Sequence, residues 1–184
     1  MSETIRLRVK DLDFNNHLLF VRAGKGDKDR STLLPKRLDE PLKAQIALVT
    51  ALHERDVAAG YGGVYLPFAL DRKYPKAELA LGWQYLFPAA DLSTDPRSGK
   101  VRRHHVMDEV LQRAMRVAVQ KAGIIKPATV HTLRHSFAIN MLLKGTNIRE
   151  VQQYLAHQHV ETTMIYTNVI RGMDSTAESP LDEL

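Results

Sequence analysis

Four short stretches carry the side chains that phosphoryl transfer needs. His131-Thr132-Leu133-Arg134 sets a histidine and an arginine three residues apart, a spacing that brings both to one face of a helix. Leu155-Ala156-His157 supplies a second histidine, and Tyr166 follows nine residues later within Thr162-Thr163-Met164-Ile165-Tyr166-Thr167. Lys25 stands between Gly24 and Gly26 in a turn-forming segment. A scissile phosphate is already anionic and gains charge in its transition state, which fixed cations stabilise; the planar fork of arginine matches phosphate oxygens best. A tyrosine hydroxyl can hold the phosphoryl group covalently. It ionises at about pH 10, so its phenolate must be stabilised as it forms. Histidines can move protons or hold phosphate oxygens, and a lysine on a hairpin can protonate a leaving sugar oxygen.

The elements around these residues read as mainly α with one small antiparallel β-sheet near the N-terminus, an α+β class. Residues 2–8 read as the end of a helix. Val9 to Leu34 reads as strands, with turns at Asn15-Asn16 and at Gly24-Lys25-Gly26-Asp27-Lys28-Asp29, stopped by Pro35. From Lys36 to Ala59, Leu38, Leu42, Ile46, Val49 and Leu52 recur at helical spacing, and Gly60 ends the run. Residues 61–96, rich in Gly, Pro and aromatics, read as loops around a short helix near Lys76 to Leu81. Helices follow over 104–122, 130–144, one opened by Asn147, and 160–170. The expected organisation is a single domain: 1–35 helix end and sheet, 36–170 a helical body with an insertion over about 61–96, and 171–184 a tail.

The 184 residues are enough for one domain with a sizeable core. Cysteine is absent from the sequence, so disulfides, cysteine–zinc sites and thiol chemistry are excluded. No apolar run is long enough to cross a bilayer and no signal pattern opens the chain, which leads to the expectation of a cytoplasmic protein. The net charge is +5. Nine Lys and Arg lie between Arg97 and Arg134 against Asp108 and Glu109, whereas the tail carries Asp174, Glu178, Asp182 and Glu183. A basic middle suits a polyanion partner or a plain solvated face.

Taken in order, Gly-Lys-Gly, His-x-x-Arg, Leu-Ala-His and the following Tyr resemble the signature of tyrosine site-specific DNA recombinases. Thr132-Leu133-Arg134-His135-Ser136-Phe137-Ala138 is close to the family's box around its arginine. The resemblance narrows to integron integrases in Leu52-His53-Glu54-Arg55-Asp56, Gly60 to Pro67, Lys73-Tyr74-Pro75-Lys76 and Trp83 to Pro88. It implies the catalytic-domain fold of DNA breaking–rejoining enzymes. It implies Tyr166 as a nucleophile forming a 3′-phosphotyrosyl bond, Arg134 as phosphate clamp, His131 and His157 as assistants, and Lys25 as general acid. Because the covalent link conserves the bond energy, neither ATP nor a metal is implied. The partners implied are DNA recombination sites, including folded single-stranded cassette sites gripped around Tyr74–Pro88, and further copies of the chain, as a tetramer on DNA.

The family has another catalytic arginine followed by residues like Ser2-Glu3-Thr4-Ile5-Arg6-Leu7-Arg8, which places it just before Met1, and it has a core-binding domain ahead of that. The expectation is therefore an impaired enzyme, and the competing reading is an inactive fragment that binds DNA or itself. Other positions carry paired readings. Lys28 and Arg30 either touch the DNA backbone or solubilise a hairpin. Arg102, Arg103, His104 and His105 contact phosphates or open a solvated helix. Trp83, Tyr85 and Phe87 are core or base platform. His135 and His159 read as packing or surface residues, and Ile139, Met141, Leu142 and Leu143 as core or subunit contact. His131 and His135, four apart, have zinc-binding spacing, but the residues between them include no glutamate base.

Overall fold

The computed structural model describes residues 2–22, 24, 29–66, 70–74 and 76–173. The chain forms two compact units, residues 1–118 and 119–184.

The first unit opens with a single helical turn, α1 (Ser2–Ile5), and a three-stranded antiparallel sheet of β1 (Leu12–Asp13), β2 (Leu18–Val21) and β3 (Arg30–Leu33) in that order. Leu19 pairs with Leu12 on one side and Thr32 on the other. Helix α2 (Asp39–Ala58) follows, then the short α3 (Leu70–Lys73) and 3-10 turns at Ala77–Leu79 and Leu81–Trp83. Val64, Leu66 and Tyr85 form a core on which Leu70, Ala77 and Trp83 pack. Gly62 is required there, because a β-carbon would lie 2.2 Å from the Val57 side chain.

Two features depart from the expected elements. Pro88–Thr94 (β4) and Val101–His105 (β5) form a second antiparallel sheet. Consequently, the helix expected over 104–122 starts only at Asp108, as α4 (Asp108–Lys121). Arg102, Arg103, His104 and His105 therefore lie on a strand and do not open a helix. The strand is held by polar anchors, which an apolar-period reading does not register.

The second unit is a three-helix cluster of α5 (Val130–Leu143), α6 (Ile148–Leu155) and α7 (Glu161–Met173), each touching the other two. Thr129 and Thr132 form a capping box at the start of α5, and Gly145 leaves its end at φ +81°, where a side chain would be strained. The Asn147 side chain accepts from the Arg149 amide at 2.8 Å, opening α6. Ala138, Val151, Leu155 and Tyr166 are the core, flanked by Ile139, Met141 and Leu142; Leu143 is exposed. No helix among the described residues is long and apolar enough to cross a membrane.

Candidate active site

Four of the five expected catalytic side chains, His131, Arg134, His157 and Tyr166, lie in the three-helix unit, and Tyr166 is part of its core. Tyr166 sits in the middle of α7, and its ring is 5% exposed within the cluster of Ala138, Val151 and Leu155. Its hydroxyl lies 2.9 Å from Nδ1 of His135, and the two ring centroids are 5.5 Å apart. The His157 ring stacks almost parallel on the Tyr166 ring, at 6.4 Å and 13°.

His157 is fixed by where α6 ends. Ala156 adopts a left-handed conformation, φ 52° and ψ 41°, which turns the chain so that the His157 amide donates back to the Gln152 carbonyl at 3.1 Å. His157 Nδ1 meets Thr163 Oγ1 at 2.9 Å, and Thr163 is fully buried one turn before Tyr166. Arg134 reaches across to donate from Nη2 to the Leu155 carbonyl. That bond ties the arginine to the turn that presents His157. His131 is exposed in the first turn of α5, three residues before Arg134 and four before His135. No three His, Cys, Asp or Glu side chains among the described residues gather as a metal site.

Lys25 and Lys28 lie outside the described residues. The remaining expected DNA contacts are in the first unit, and most are engaged. Arg30 forms a two-pronged bond to Glu3 at 2.9 and 2.6 Å. Arg102 pairs with Glu78 at 3.3 Å and Asp95 at 3.8 Å. Arg103 holds Asp56 through Nε at 2.5 Å and Nη2 at 2.8 Å, and also donates to the Ala89 and Ala90 carbonyls. Trp83 packs on the first core, with the Lys10 ammonium over its ring. His105 Nδ1 lies 2.7 Å from the Val106 carbonyl, and its ring meets Tyr85 edge-on. Trp83 and His105 also line a cavity of about 340 Å³ together with Arg6, Arg8, Tyr65 and Arg97. Arg8 is anchored there by the Trp83 and Tyr65 carbonyls at 2.6 and 2.8 Å. Burial lowers its guanidinium from the ordinary value, while Tyr85 and Asp11 oppose the shift.

His135 and Thr163 are the side chains that motif spacing did not single out. The available signal was helical: His135 is three residues before buried Ala138, and Thr163 three before Tyr166.

Residues 1–171 match the sequence model of the phage integrase family. The chain belongs to that family. This phage integrase family chain is 51% identical over 184 residues to an integrase/recombinase of Escherichia coli, covering 100% of itself and 55% of that protein. It is 33% identical over 171 residues to tyrosine recombinase XerA of Thermococcus onnurineus, covering 92% of itself and 46% of the relative. It therefore spans about half the length of the curated relatives it matches. A crystal structure of XerA recombinase superposes with a TM-score of 0.61 at 28% identity, over 94% of this chain and 50% of that one. A structure of the XerH site-specific recombinase bound to its difH substrate gives 0.56 at 24% identity, over 97% and 41%, a likeness of fold alone. The mainly helical architecture with small antiparallel sheets is the one these recombinases share.

Proposed function

We propose that this chain is the catalytic part of a site-specific DNA recombinase of the integron-integrase kind, with Tyr166 as its nucleophile. The observation that carries the reading is the convergence on Tyr166. A phenol hydroxyl in a mid-helix core position meets an imidazole at 2.9 Å, lies under a second imidazole, and shares its three-helix cluster with an arginine bound to the turn beside that second imidazole. A buried packing tyrosine would need one hydrogen-bond partner; two imidazoles and an arginine around one phenol go beyond that need.

In the proposed reaction, Arg134 clamps the scissile phosphate and stabilises the charge that builds on it. Tyr166 attacks to give a 3′-phosphotyrosyl link. Lys25 protonates the departing 5′-oxygen, and His131 and His157 assist on the phosphate. A second DNA end then attacks the link and restores the backbone. Its partners are recombination sites, with folded single-stranded cassette sites as candidates, and other copies of the chain assembled as a tetramer on DNA. The basic, aromatic cavity beside Trp83 and His105 supports DNA contact in the 74–88 region, and Lys28, Arg30, Arg102 and Arg103 remain the proposed backbone contacts.

The 184 residues by themselves hold one arginine of the family's catalytic pair, Arg134. One lost preorganised phosphate donor typically costs about a hundred- to a thousandfold in rate, so this polypeptide alone is expected to be slow. A competing reading is a DNA-binding or self-associating module without catalysis, favoured by the nearly complete burial of Tyr166. Both are tested by mixing the polypeptide, alone and fused to the remaining part of its Escherichia coli relative, with a nicked suicide site. A denaturation-resistant adduct that strengthens in the fusion is the expected result. DNA binding without an adduct in either form would establish the module instead.

A further inference from the structure

His135 reads from the sequence as a packing or surface residue, yet its ring nitrogen meets the proposed nucleophile. Resting on the recombinase reading above, we infer that His135 is a catalytic residue that accepts the Tyr166 proton as the tyrosine attacks.

At 2.9 Å, His135 Nδ1 and the Tyr166 oxygen share one hydrogen. Either the phenol donates to a bare Nδ1 or a protonated Nδ1 donates to the phenol. Only the first arrangement satisfies the hydroxyl hydrogen with this partner, and a hydroxyl on a ring this deeply buried has need of one. The ring of His135 is tilted 54° to that of Tyr166 and meets it at the hydroxyl end. His157 lies flat on the ring, and its Nδ1 is turned to Thr163. The two imidazoles therefore have different tasks: His157 fixes the plane of the ring, and His135 addresses the atom that reacts. His135 itself is exposed, so a proton taken up there can pass to solvent. The charged and titratable groups around it are Arg134 beside it, His131 one turn earlier on α5, Tyr166 on α7 and His157 across the tyrosine ring. Arg134 donates to the Leu155 carbonyl, which holds its guanidinium by the turn before His157.

The step balances. As the bond from Tyr166 Oη to phosphorus forms, the hydroxyl proton moves to His135 Nδ1. The bond from phosphorus to the 5′-oxygen breaks, and that oxygen takes a proton from the general acid, Lys25 in the proposed scheme. In resealing, a 5′-hydroxyl oxygen attacks phosphorus and gives its proton back to Lys25, the bond from phosphorus to Tyr166 Oη breaks, and the tyrosine oxygen recovers its proton from His135. A positioned base of this kind contributes about a hundred- to ten-thousandfold.

The experiment uses suicide sites with either oxygen or sulfur at the bridging 5′ position, because sulfur leaves without a general acid. His135→Gln is expected to slow adduct formation about a hundredfold or more on both substrates, whereas sulfur restores Lys25→Ala. Added imidazole is expected to restore part of the rate of His135→Ala, which a packing role would not allow. Nitrogen NMR of the unsubstituted 184-residue chain is expected to show His135 Nδ1 accepting the hydroxyl hydrogen, and its resonance shifted in Tyr166→Phe. A full rate in His135→Gln, rescue of that variant by sulfur, no response of folded His135→Ala to imidazole, or a proton on Nδ1 would each overturn the inference. Absence of any adduct from the unsubstituted chain and from its fusion would instead overturn the recombinase reading, and the inference with it.

Discussion

Arg103 and Asp56, 47 residues apart, meet in a two-pronged ion pair at 2.5 and 2.8 Å, with both side chains less than a tenth exposed. The pair joins β5 to the far end of α2, and the same guanidinium holds two carbonyls of β4. Asp56 keeps the guanidinium above its ordinary value, chiefly through this hydrogen bond. Removing one partner leaves the other charge buried and unpaired, a loss of about 3 kcal/mol. Asp56→Ala should show it in chemical denaturation of the first unit. Arg103→Ala should likewise destabilise the first unit. Lys28→Ala, if Lys28 meets a phosphate, should lower the slope of log affinity against log salt by about 0.9.

Thr163 should matter through His157. Thr163→Val removes the hydroxyl that His157 Nδ1 meets and leaves a nearly isosteric side chain. One lost buried hydrogen bond predicts about 1 kcal/mol of stability. If the bond sets the ring against Tyr166, adduct formation should fall by more than the unfolded fraction explains. Parallel denaturation and adduct kinetics separate the two.

Ala156 occupies left-handed backbone at φ 52°, which costs a residue bearing a β-carbon about 1 kcal/mol relative to glycine. Ala156→Gly should therefore raise the midpoint of thermal unfolding. An unchanged or lower midpoint would show that the methyl group contributes packing that outweighs the strain.

Lys10 is expected to impose a pH dependence on the first unit. Burial, then repulsion from Arg22, lowers its ammonium to about 8. The unfolded chain holds this proton up to its ordinary 10.5, so between pH 8 and 10 the unfolded state binds more protons than the folded one. Stability should rise with pH across that window and stay level below it as far as this group is concerned. Tyr85, pushed up chiefly by burial, contributes the opposite slope only above its ordinary 10.0. Lys10→Met should flatten the rise, as measured by denaturation at several pH values.

The three-helix unit was legible because its signals are local. Leu142 and Leu155 keep helical spacing within their segments, Gly145 and Asn147 punctuate them, and each boundary fell within a few residues of the observed one. The sheet of β4 and β5 was not legible for the opposite reason. Val101-Arg102-Arg103-His104-His105 has no apolar alternation, and its arginines are buried only because Asp56, Glu78 and Asp95 come to meet them. The same limit hid His135. Spacing from His131 and Arg134 placed it on the right helix, but its partner is on α7, 31 residues away.

The most direct test of the account is the chemical identity of the protein–DNA link. The adduct formed on a suicide site by the unsubstituted chain, or by its fusion, should be digested and mapped by mass spectrometry. The account requires the peptide containing Tyr166 to carry a 3′-phosphonucleotide on that residue, and the link to vanish in Tyr166→Phe. A link to any other side chain, or an adduct that persists in Tyr166→Phe, would contradict it.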